Sequence, residues 1–367
     1  MDFFVERNDI YASLRKVINI IDSRSRLPIL KHILLDVCDD RLFITATDLE
    51  IEIVAEILLD KKYIVNSVTV PGYKFFEICQ NLPENSKIHI LLQENRFLIS
   101  SGCSNFVLSI LPVLDFPKVK KYENESYITI PQCVLKKMIK LTQFSMGYQD
   151  SRYYLNGICL KTEKNTISMV STDGYRLSMC EVTSKLLLPF QSVIIPRKGV
   201  LEIFSLLGNG KELVKMQVCN NNIYIKMNNY VIRSKLIDSE FPDYKKIFLN
   251  QPKIFFEIDR IVLKHALKRA SILSNEKLRI VNFYLTSNQL KITTDNFKEE
   301  TSEEILKILF SYENISISFN VDYLLDVINV VDSQMLKFSL INTVSSVQIE
   351  GVPKYYGSIY IIMPVKV

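Results

Sequence analysis

The sequence predicts an α+β protein of three similar domains, each with two helices packed on antiparallel sheets. Two observations predict it: one series of short segments recurs three times in the same order, and each series alternates β-type runs with apolar residues at helical spacing. A chain of 367 residues is also too long for one ordinary core. We therefore expect domains at residues 1–124, 125–251 and 252–367, with the linkers in proline-containing, charged stretches.

Each copy opens with a β-type run that leads into a helix. In the first copy, apolar residues follow the run at helical spacing, as at Ile10, Leu14 and Val17. A second strand and a second helix come next, and strand hairpins close the copy, so we expect about eight strands per copy. The pattern predicts first helices at residues 10–21, 131–142 and 261–272, and second helices at 75–82, 200–207 and 324–331.

A Thr-Asp pair ends one strand of every copy. The three aspartates are Asp48, Asp173 and Asp295, at spacings of 173 − 48 = 125 and 295 − 173 = 122 residues. A catalytic carboxylate is normally a single group in an asymmetric pocket. Because this aspartate recurs in every copy, we expect it to accept hydrogen bonds from turn backbone between two strands.

The first predicted helix of each copy carries basic residues and no acidic ones. An ordinary solvated helix mixes charges, because opposite charges four residues apart stabilise it. Three helices of one sign favour a surface for a polyanion, although a merely solvated lysine-rich face is the alternative. No sequence signature of a base-reading domain accompanies them, so the contacts would be to phosphates and indifferent to sequence. The basic residues are Arg15, Lys16, Lys136, Lys137, Lys140, Lys264, Lys268 and Arg269.

Several other classes of protein are excluded by motifs that the sequence lacks. There is no Walker loop, G-x-S-x-G elbow or G-x-G-x-x-G fingerprint, and the three histidines form no metal-binding cluster, so we expect no cofactor and no metal. Seven scattered cysteines without a CxxC pair predict reduced thiols. No apolar run is long enough to cross a bilayer, and no signal peptide opens the chain, so we expect a cytoplasmic protein.

Several longer stretches are distinctive, among them Thr-Asp-Gly-Tyr-Arg-Leu at 172–177 and the terminal Met363-Pro364. The others lie at residues 143–146, 149–157, 195–199, 272–277 and 344–350. With them the chain resembles, over its whole length, the β subunit family of bacterial DNA polymerase III, the DNA sliding clamps. The resemblance implies three clamp domains per chain and a head-to-tail homodimer ring around duplex DNA. It also implies a non-catalytic processivity factor whose partners are the polymerase III α subunit, the clamp loader and other clamp-motif proteins.

The resemblance also implies two binding sites. Double-stranded DNA would be contacted by Arg24, Gln149, Tyr153, Tyr154, Arg197 and Lys198, although core packing is the alternative for one of the two tyrosines. Partner peptides would bind a groove made of Leu155, Thr172, Gly174, Tyr175, Arg176, Leu177, Pro242, Lys246, Ile247, Val344, Ser346, Ile361, Ile362, Met363, Pro364 and Val365. Tyr175 and Lys246 differ from the His and Arg of well-known members, which shifts the expected peptide preference. Arg176 and Ser346 are expected to orient the peptide.

A dimer interface is implied in the same way. It would consist of Lys74, Arg96, Phe106, Leu108, Ile272, Leu273, Glu300, Glu303 and Glu304. Cys103 and Asn105 stand where relatives have basic residues, and Lys298 and Thr301 stand where they have acidic ones. Since charge is missing from both faces, we expect the ring to depend more on apolar contact.

Two alternatives to a clamp stay open on the sequence alone. One is an enzyme of DNA metabolism such as a nuclease, which would need clustered carboxylates for metal ions. The other is a monomeric, adhesive repeat scaffold with no role on DNA.

Overall fold

The structure is a computed structural model that describes residues 1–22, 24–117, 127–249, 252–275, 278–295 and 300–365. These residues form six α-helices and twenty strands, and every strand pairing among them is antiparallel, so the predicted α+β class is confirmed. The helices are α1 Arg7–Val17, α2 Gly72–Asn81, α3 Gln132–Thr142, α4 Arg197–Leu206, α5 Arg260–Ala270 and α6 Val321–Val330.

The strands follow the three copies. The first copy has β1 Asp2–Glu6, β2 His32–Thr47, β3 Ile51–Pro71, β4 Lys87–Gln93, β5 Arg96–Ser101 and β6 Ser104–Ser109. The second has β7 Ile128–Pro131, β8 Gly157–Thr172, β9 Arg176–Pro196, β10 Leu213–Cys219, β11 Asn222–Met227 and β12 Tyr230–Lys235. The third has β13 Ile254–Asp259, β14 Ile280–Thr286, β15 Gln289–Asp295, β16 Thr301–Lys307, β17 Ile315–Asn320, β18 Met335–Leu340, β19 Val347–Val352 and β20 Ile359–Ile362.

The predicted eight strands per copy are present only in the third copy. In the first copy β2 and β3 run for 16 and 21 residues and pair along most of their length, passing irregularities near Asp39. Strands β8 and β9 pair in the same way in the second copy. The prediction of eight was therefore wrong for two copies, because a local irregularity does not separate two strands whose hydrogen bonding resumes beyond it.

Both helices of a copy pack on its sheets through one apolar face. In the third copy Leu263 and Leu267 of α5 and Leu324 of α6 are fully buried in one cluster with strand residues such as Phe283 and Phe338. Residues three and four positions apart lie on one side of a helix, which is why the spacing predicted these elements. Burying each large aliphatic side chain contributes about 1.5–3 kcal/mol.

Four sheets result, and two of them cross the boundaries between copies. The strand orders are β1-β4-β5-β6, β2-β3-β12-β11-β10-β7, β13-β18-β19-β20-β9-β8 and β16-β15-β14-β17. The last strand of the second copy thus pairs with β3 of the first, and the last strand of the third copy pairs with β9 of the second.

The chain divides into two compact units. The first contains Met1–Val134 and Leu201–Leu236, and the second contains Leu135–Val200 and Ile237–Val367. The middle copy is shared between them because its strands belong to two different sheets. Among the described residues, no helix has the length and apolar character needed to cross a membrane.

Candidate DNA and peptide interfaces

One exposed cation occupies the same position in the first helix of each copy. Arg15, Lys140 and Lys268 are all exposed, and each is the ninth residue of its helix, because 15 − 7, 140 − 132 and 268 − 260 all equal 8. The prediction that all three helices lack acids was wrong for the first. Helix α1 begins at Arg7, earlier than expected, and its first turn includes Asp9, where a carboxylate interacts favourably with the helix N-terminus.

Other basic residues of these helices are engaged within the protein. Lys137 forms an ion pair with Asp332 and lies over the ring of Tyr355, with 4.7 Å between Nζ and the ring centre. Arg269 donates two hydrogen bonds to Glu304, of 2.7 and 2.6 Å. These contacts lower the pKa of both carboxyl groups. Lys137 and Arg269 are therefore partly neutralised, unlike the free polyanion-facing cations that the sequence predicted.

The predicted DNA-contact loop between α3 and β8 is held by its own side chains. Asp150 and Asn156 exchange hydrogen bonds of 2.9 and 2.8 Å, and Arg152 donates to both carboxylate oxygens of Asp150. These bonds from Arg152 hold the pKa of Asp150 at about 2. Within this fixed loop Tyr153 is 75% exposed, so the alternative of core packing is wrong for it.

The other predicted DNA contacts are accessible to different degrees. Gln149 and Lys198 are exposed, Tyr154 and Arg197 are half-buried, and Arg24 is exposed on a separate turn of the first unit. Arg197 donates to the carbonyl oxygen of Met146 at 3.2 Å. Its guanidinium carbon lies 5.6 Å from the ring centre of Tyr148, an exposed residue that no sequence pattern marks as functional.

The predicted role of the Thr-Asp pair is confirmed in the first two copies. Asp48 Oδ1 accepts hydrogen bonds from the amides of Glu50 and Ile51, and Asp173 Oδ1 accepts them from Tyr175 and Arg176. The aspartates therefore close turns between paired strands. The side chain of Asp295 lies outside the described residues.

Gly174 stands in the middle turn where the first copy has Leu49. Both residues have a positive φ, of 91° and 78°, so the backbone conformation alone does not require glycine. A Cβ on Gly174 would lie 3.0 Å from Nη2 of Arg152. Arg152 of the neighbouring loop therefore packs directly on the turn, and a side chain at position 174 would have to displace the end of that arginine side chain.

The predicted groove residues divide into a buried floor and an exposed wall. Leu155, Leu177 and Ile361 are 2%, 3% and 2% exposed, and the last two pack in a cluster with Cys159, Val170 and Tyr244. The wall consists of residues that are roughly half to two-thirds exposed, namely Tyr175, Ile247, Val344 and Met363. An apolar surface beside a few polar groups can hold a small peptide anchor.

The C-terminal segment joins this surface by extending the ladder between β20 and β9. The amide of Met363 donates to the carbonyl oxygen of Tyr175 at 2.9 Å, and the amide of Val365 donates to the carbonyl oxygen of Ser318 in β17 at 2.8 Å.

The remaining predicted groove residues differ in how far they are buried. Ile362 is fully buried in the core of the third copy, Pro242 and Lys246 are exposed, and Thr172, Ser346, Pro364 and Val365 are half-buried.

The predicted orienting role of Arg176 does not fit its contacts. Its side chain is 12% exposed, and all three guanidinium nitrogens donate within the protein. They reach Asp173 Oδ2 at 2.9 Å, Asp326 Oδ2 at 2.6 Å and the carbonyl oxygen of Phe144 at 2.7 Å. Three of its five N–H donors are thus committed within the protein, so the contacts of Arg176 favour fixing the surrounding segments over orienting a bound peptide.

The predicted interface residues lie on two separate surfaces. In the first unit, Phe106 and Leu108 of β6 line a cavity of about 390 Å³ together with Lys74 of α2, and Arg96 is exposed nearby on β5. In the second unit, Ile272 is 77% exposed just after α5, Leu273 is half-buried, and Glu300 is exposed. Glu303 and Glu304 pair with Lys291 and Arg269 of the same chain. Lys298 lies outside the described residues.

The acidic residues near these surfaces form no metal centre in the part of the chain that the structure describes. Within the described ranges, no group of three or more His, Cys, Asp or Glu side chains is placed to hold a metal ion. The aspartates that recur in the sequence close turns in the two copies where their side chains are described. The fold is that of a repeat protein in which one helix-and-sheet plan occurs three times and two sheets continue from one copy into the next.

Comparisons with known proteins identify the family. Models of the N-terminal, central and C-terminal domains of the DNA polymerase III beta subunit match residues 1–120, 129–243 and 245–366. The beta sliding clamps of Salmonella typhimurium LT2 and Escherichia coli K12 are each 42% identical over 366 residues, covering 100% of both chains. A crystal structure of the beta subunit from Pseudomonas aeruginosa has a TM-score of 0.96 at 35% identity, with both chains covered in full. The chain therefore belongs to the family of DNA polymerase III beta subunits, the sliding clamps, which are non-catalytic processivity factors.

Proposed function

We propose that two copies of the chain close head to tail into a ring around duplex DNA. The observation that carries this proposal is the repeated pairing of strands across the boundaries between copies. β12 pairs with β3, and β20 pairs with β9, so the last strand of one copy joins the long hairpin of the copy before it. By the same rule β6 should join β16, and each of these is an edge strand of its own sheet. Because every chain carries both edges, β6 of each copy can pair with β16 of the other copy. Two such junctions close a ring of two copies.

The register of this third junction follows from the first two. Ile53 faces Ile232 in the first junction. Ile225 faces Ile232 in the second copy as Ile99 faces Phe106 in the first, so the counterpart of Ile232 is Phe106, 126 residues earlier. Leu42 faces Ile57 and Leu290 faces Leu306, and all four side chains are buried, so the offset of 306 − 57 = 249 makes Ser302 the counterpart of Ile53. Phe106 of one copy is therefore proposed to face Ser302 of the other, and Val107 to face Thr301. The cavity beside Phe106 and Leu108 is then available to the exposed Ile272 of the partner.

A disulfide test measures this register. Facing residues of paired strands have Cα atoms about 4.5–5.5 Å apart, within the range of roughly 4.4–6.8 Å that a disulfide tolerates. In a Cys103→Ser background, Val107→Cys combined with Thr301→Cys should give a covalently closed dimer under mild oxidation. The matched control combines Val107→Cys with Glu303→Cys, two residues out of register on the same strand, and should cross-link more slowly. Equal cross-linking of both pairs contradicts the register.

The proposed DNA surface combines the repeated helix cations with the loop and turn residues. Arg15, Lys140 and Lys268 would contribute six equivalent charges per ring, and phosphate contacts of this kind are independent of base sequence. Arg24, Gln149, Tyr153, Tyr154, Arg197 and Lys198 would add contacts from the loops and from the start of α4. Closure around DNA prevents escape, while weak phosphate contacts permit sliding.

The groove is proposed as the attachment site of the polymerase III α subunit, the clamp loader and other clamp-motif proteins. Its exposed wall, with Tyr175, Val344 and Met363 around a buried apolar floor, suits a short apolar peptide anchor. A polymerase held there gains local concentration at the primer end, an avidity effect of about 10²–10⁴-fold. Replacing Tyr175 and Met363 with alanine should abolish binding of the purified α subunit and leave the dimer intact. Unchanged binding contradicts the groove.

We further propose that the domain boundaries lie near residues 124 and 251 and that the protein is cytoplasmic. The two alternative functions have less support. A metal-dependent nuclease requires a carboxylate cluster, and the described residues hold none. An adhesive monomer would leave the edge strands β6 and β16 without the pairing that the other two junctions show.

A further inference from the structure

We propose that Arg176 is a positioning residue that holds the two sides of the groove together and does not contact the bound peptide. This inference rests on the groove proposed above. The guanidinium of Arg176 bonds to Asp173 in the groove turn, to Asp326 on helix α6 and to the carbonyl oxygen of Phe144 after α3. Its carbon lies 4.3 Å from the ring centre of Tyr323, also on α6. One side chain thereby joins three segments that are distant in sequence.

The segments that Arg176 joins carry the exposed wall of the groove. Tyr175 precedes it in the turn, and the carbonyl oxygen of Tyr175 accepts the hydrogen bond from the amide of Met363. Two residues later the tail bonds to Ser318 of β17, the strand that leads directly into α6. A shift of α6 relative to the turn would therefore change the separation of Tyr175 and the tail.

The first copy indicates that this arginine is not needed to form the turn itself. Ile51 is its counterpart there, since 176 − 51 = 125, and the turn at Asp48 closes with the same carboxylate-to-amide bonds. Glu300 occupies the position in the third copy, because the buried pair Leu290 and Leu306 corresponds to Leu42 and Ile57, and 51 + 249 = 300. Among the three copies only the middle one has an arginine at this position, and only that copy contributes its turn to the groove. The extra function of Arg176 is thus the link to α6.

The test separates positioning from direct contact by two measurements on the full-length dimer. The first is the affinity for the purified polymerase III α subunit. The second is amide hydrogen exchange at Tyr175 and Met363 without any ligand. Arg176→Gln should weaken the affinity at least about tenfold, because buried charge-assisted hydrogen bonds are lost, and should speed exchange at both amides. Arg176→Lys should behave like the glutamine variant, since one ammonium group cannot reach three separate acceptors. Asp326→Asn should have an intermediate effect, because an acceptor oxygen remains.

A matched control is available on the neighbouring helix α5. Arg260, its first residue, donates to the carbonyl oxygens of Ser333 and Ile328, which ties α5 to the C-terminal end of α6. Arg260→Gln should change the affinity by less than about twofold, because its acceptors do not touch the groove. An equal loss of affinity in this control would mean general destabilisation of α6 and overturns the inference.

The remaining outcomes are distinct. Weakened binding of Arg176→Gln with unchanged exchange means that Arg176 contacts the ligand directly, which overturns positioning. Wild-type affinity of Arg176→Gln also overturns it, provided that the Tyr175→Ala and Met363→Ala variants lose binding. If those two variants bind normally as well, the groove is not the attachment site. The proposed role of Arg176 in binding then fails together with the groove assignment.

Discussion

The most informative perturbation of the proposed ring is the replacement of Ile272 by alanine. Its side chain is 77% exposed in the single chain, so its removal should not disturb folding. In the ring it would be buried against the cavity beside Phe106 and Leu108 of the partner. Complete burial of an isoleucine side chain is worth about 1.5–3 kcal/mol, so the exposed fraction corresponds to about 1–2 kcal/mol at each interface. A closed ring has two such interfaces, and the dimer should lose about 2–4 kcal/mol, or roughly 30–1,000-fold in the dimer dissociation constant.

Sedimentation velocity over a wide concentration range measures this change. The wild-type protein should sediment near twice 42.5 kDa, and Ile272→Ala should shift towards 42.5 kDa at concentrations where the wild type remains dimeric. The matched control is Ile64→Ala, because Ile64 is 87% exposed but lies away from the proposed interface. Since Glu303 and Glu304 are paired within their own chain, added salt should dissociate the dimer only weakly. The reasoning is refuted if Ile272→Ala dimerises as tightly as the wild type, or if Ile64→Ala is equally affected.

Four further outcomes are expected. Loaded protein should remain on nicked circular DNA and fall off after linearisation, and retention on linear DNA with free ends would contradict a topological link. Changing Arg15, Lys140 and Lys268 together to glutamine should reduce the slope of log affinity against log salt by up to about 5, equally for unrelated sequences, and a sequence-dependent loss would count against phosphate contacts. Deleting Met363 to Val367, of which Lys366 and Val367 lie outside the described residues, removes the two backbone bonds to Tyr175 and Ser318. At about 0.5–1.5 kcal/mol each, this should cost little stability while abolishing α-subunit binding, so an unfolded variant would make the tail structural. Iodoacetamide at neutral pH should modify exposed Cys38 and Cys103 but spare Cys79, whose pKa burial raises to about 12; dimerisation should protect Cys103 and not Cys38.

The fold could be predicted from the sequence where local spacing determines it. Apolar residues at intervals of three and four placed all six helices within a few residues, as with Leu263 and Leu267 in α5. The strands were less predictable, because whether β2 and β3 remain continuous past Asp39 depends on hydrogen bonding between strands. The apolar spacing also places helix starts imprecisely: it predicts a first helix at residues 10–21, whereas α1 begins at Arg7 and includes Asp9.

The candidate sites were less predictable because they depend on contacts between distant residues. Lys137 and Asp332 are 195 residues apart, and Arg176 and Asp326 are 150 apart. Neither ion pair leaves a periodic signal in the sequence, which instead predicts a polyanion-facing role for Lys137 and a peptide-orienting role for Arg176. Repetition of the copies does carry such a signal for Arg15, Lys140 and Lys268, whose equivalence emerges once the helices are aligned at their first residues.

The two proposed sites use the repeated architecture in opposite ways. Duplex DNA presents phosphates at regular intervals, so one cation at the same helix position in every copy suits it, and no copy needs to differ from another. A peptide groove must be a single asymmetric surface, and it requires exceptions to the repeat. The middle copy supplies them at adjacent positions: Gly174 admits the guanidinium of Arg152, and Arg176 reaches α6, where the first copy has Leu49 and Ile51. In the proposed ring, departures from the repeat would therefore mark where partners are selected, and residues that recur in every copy would mark the surface that meets DNA.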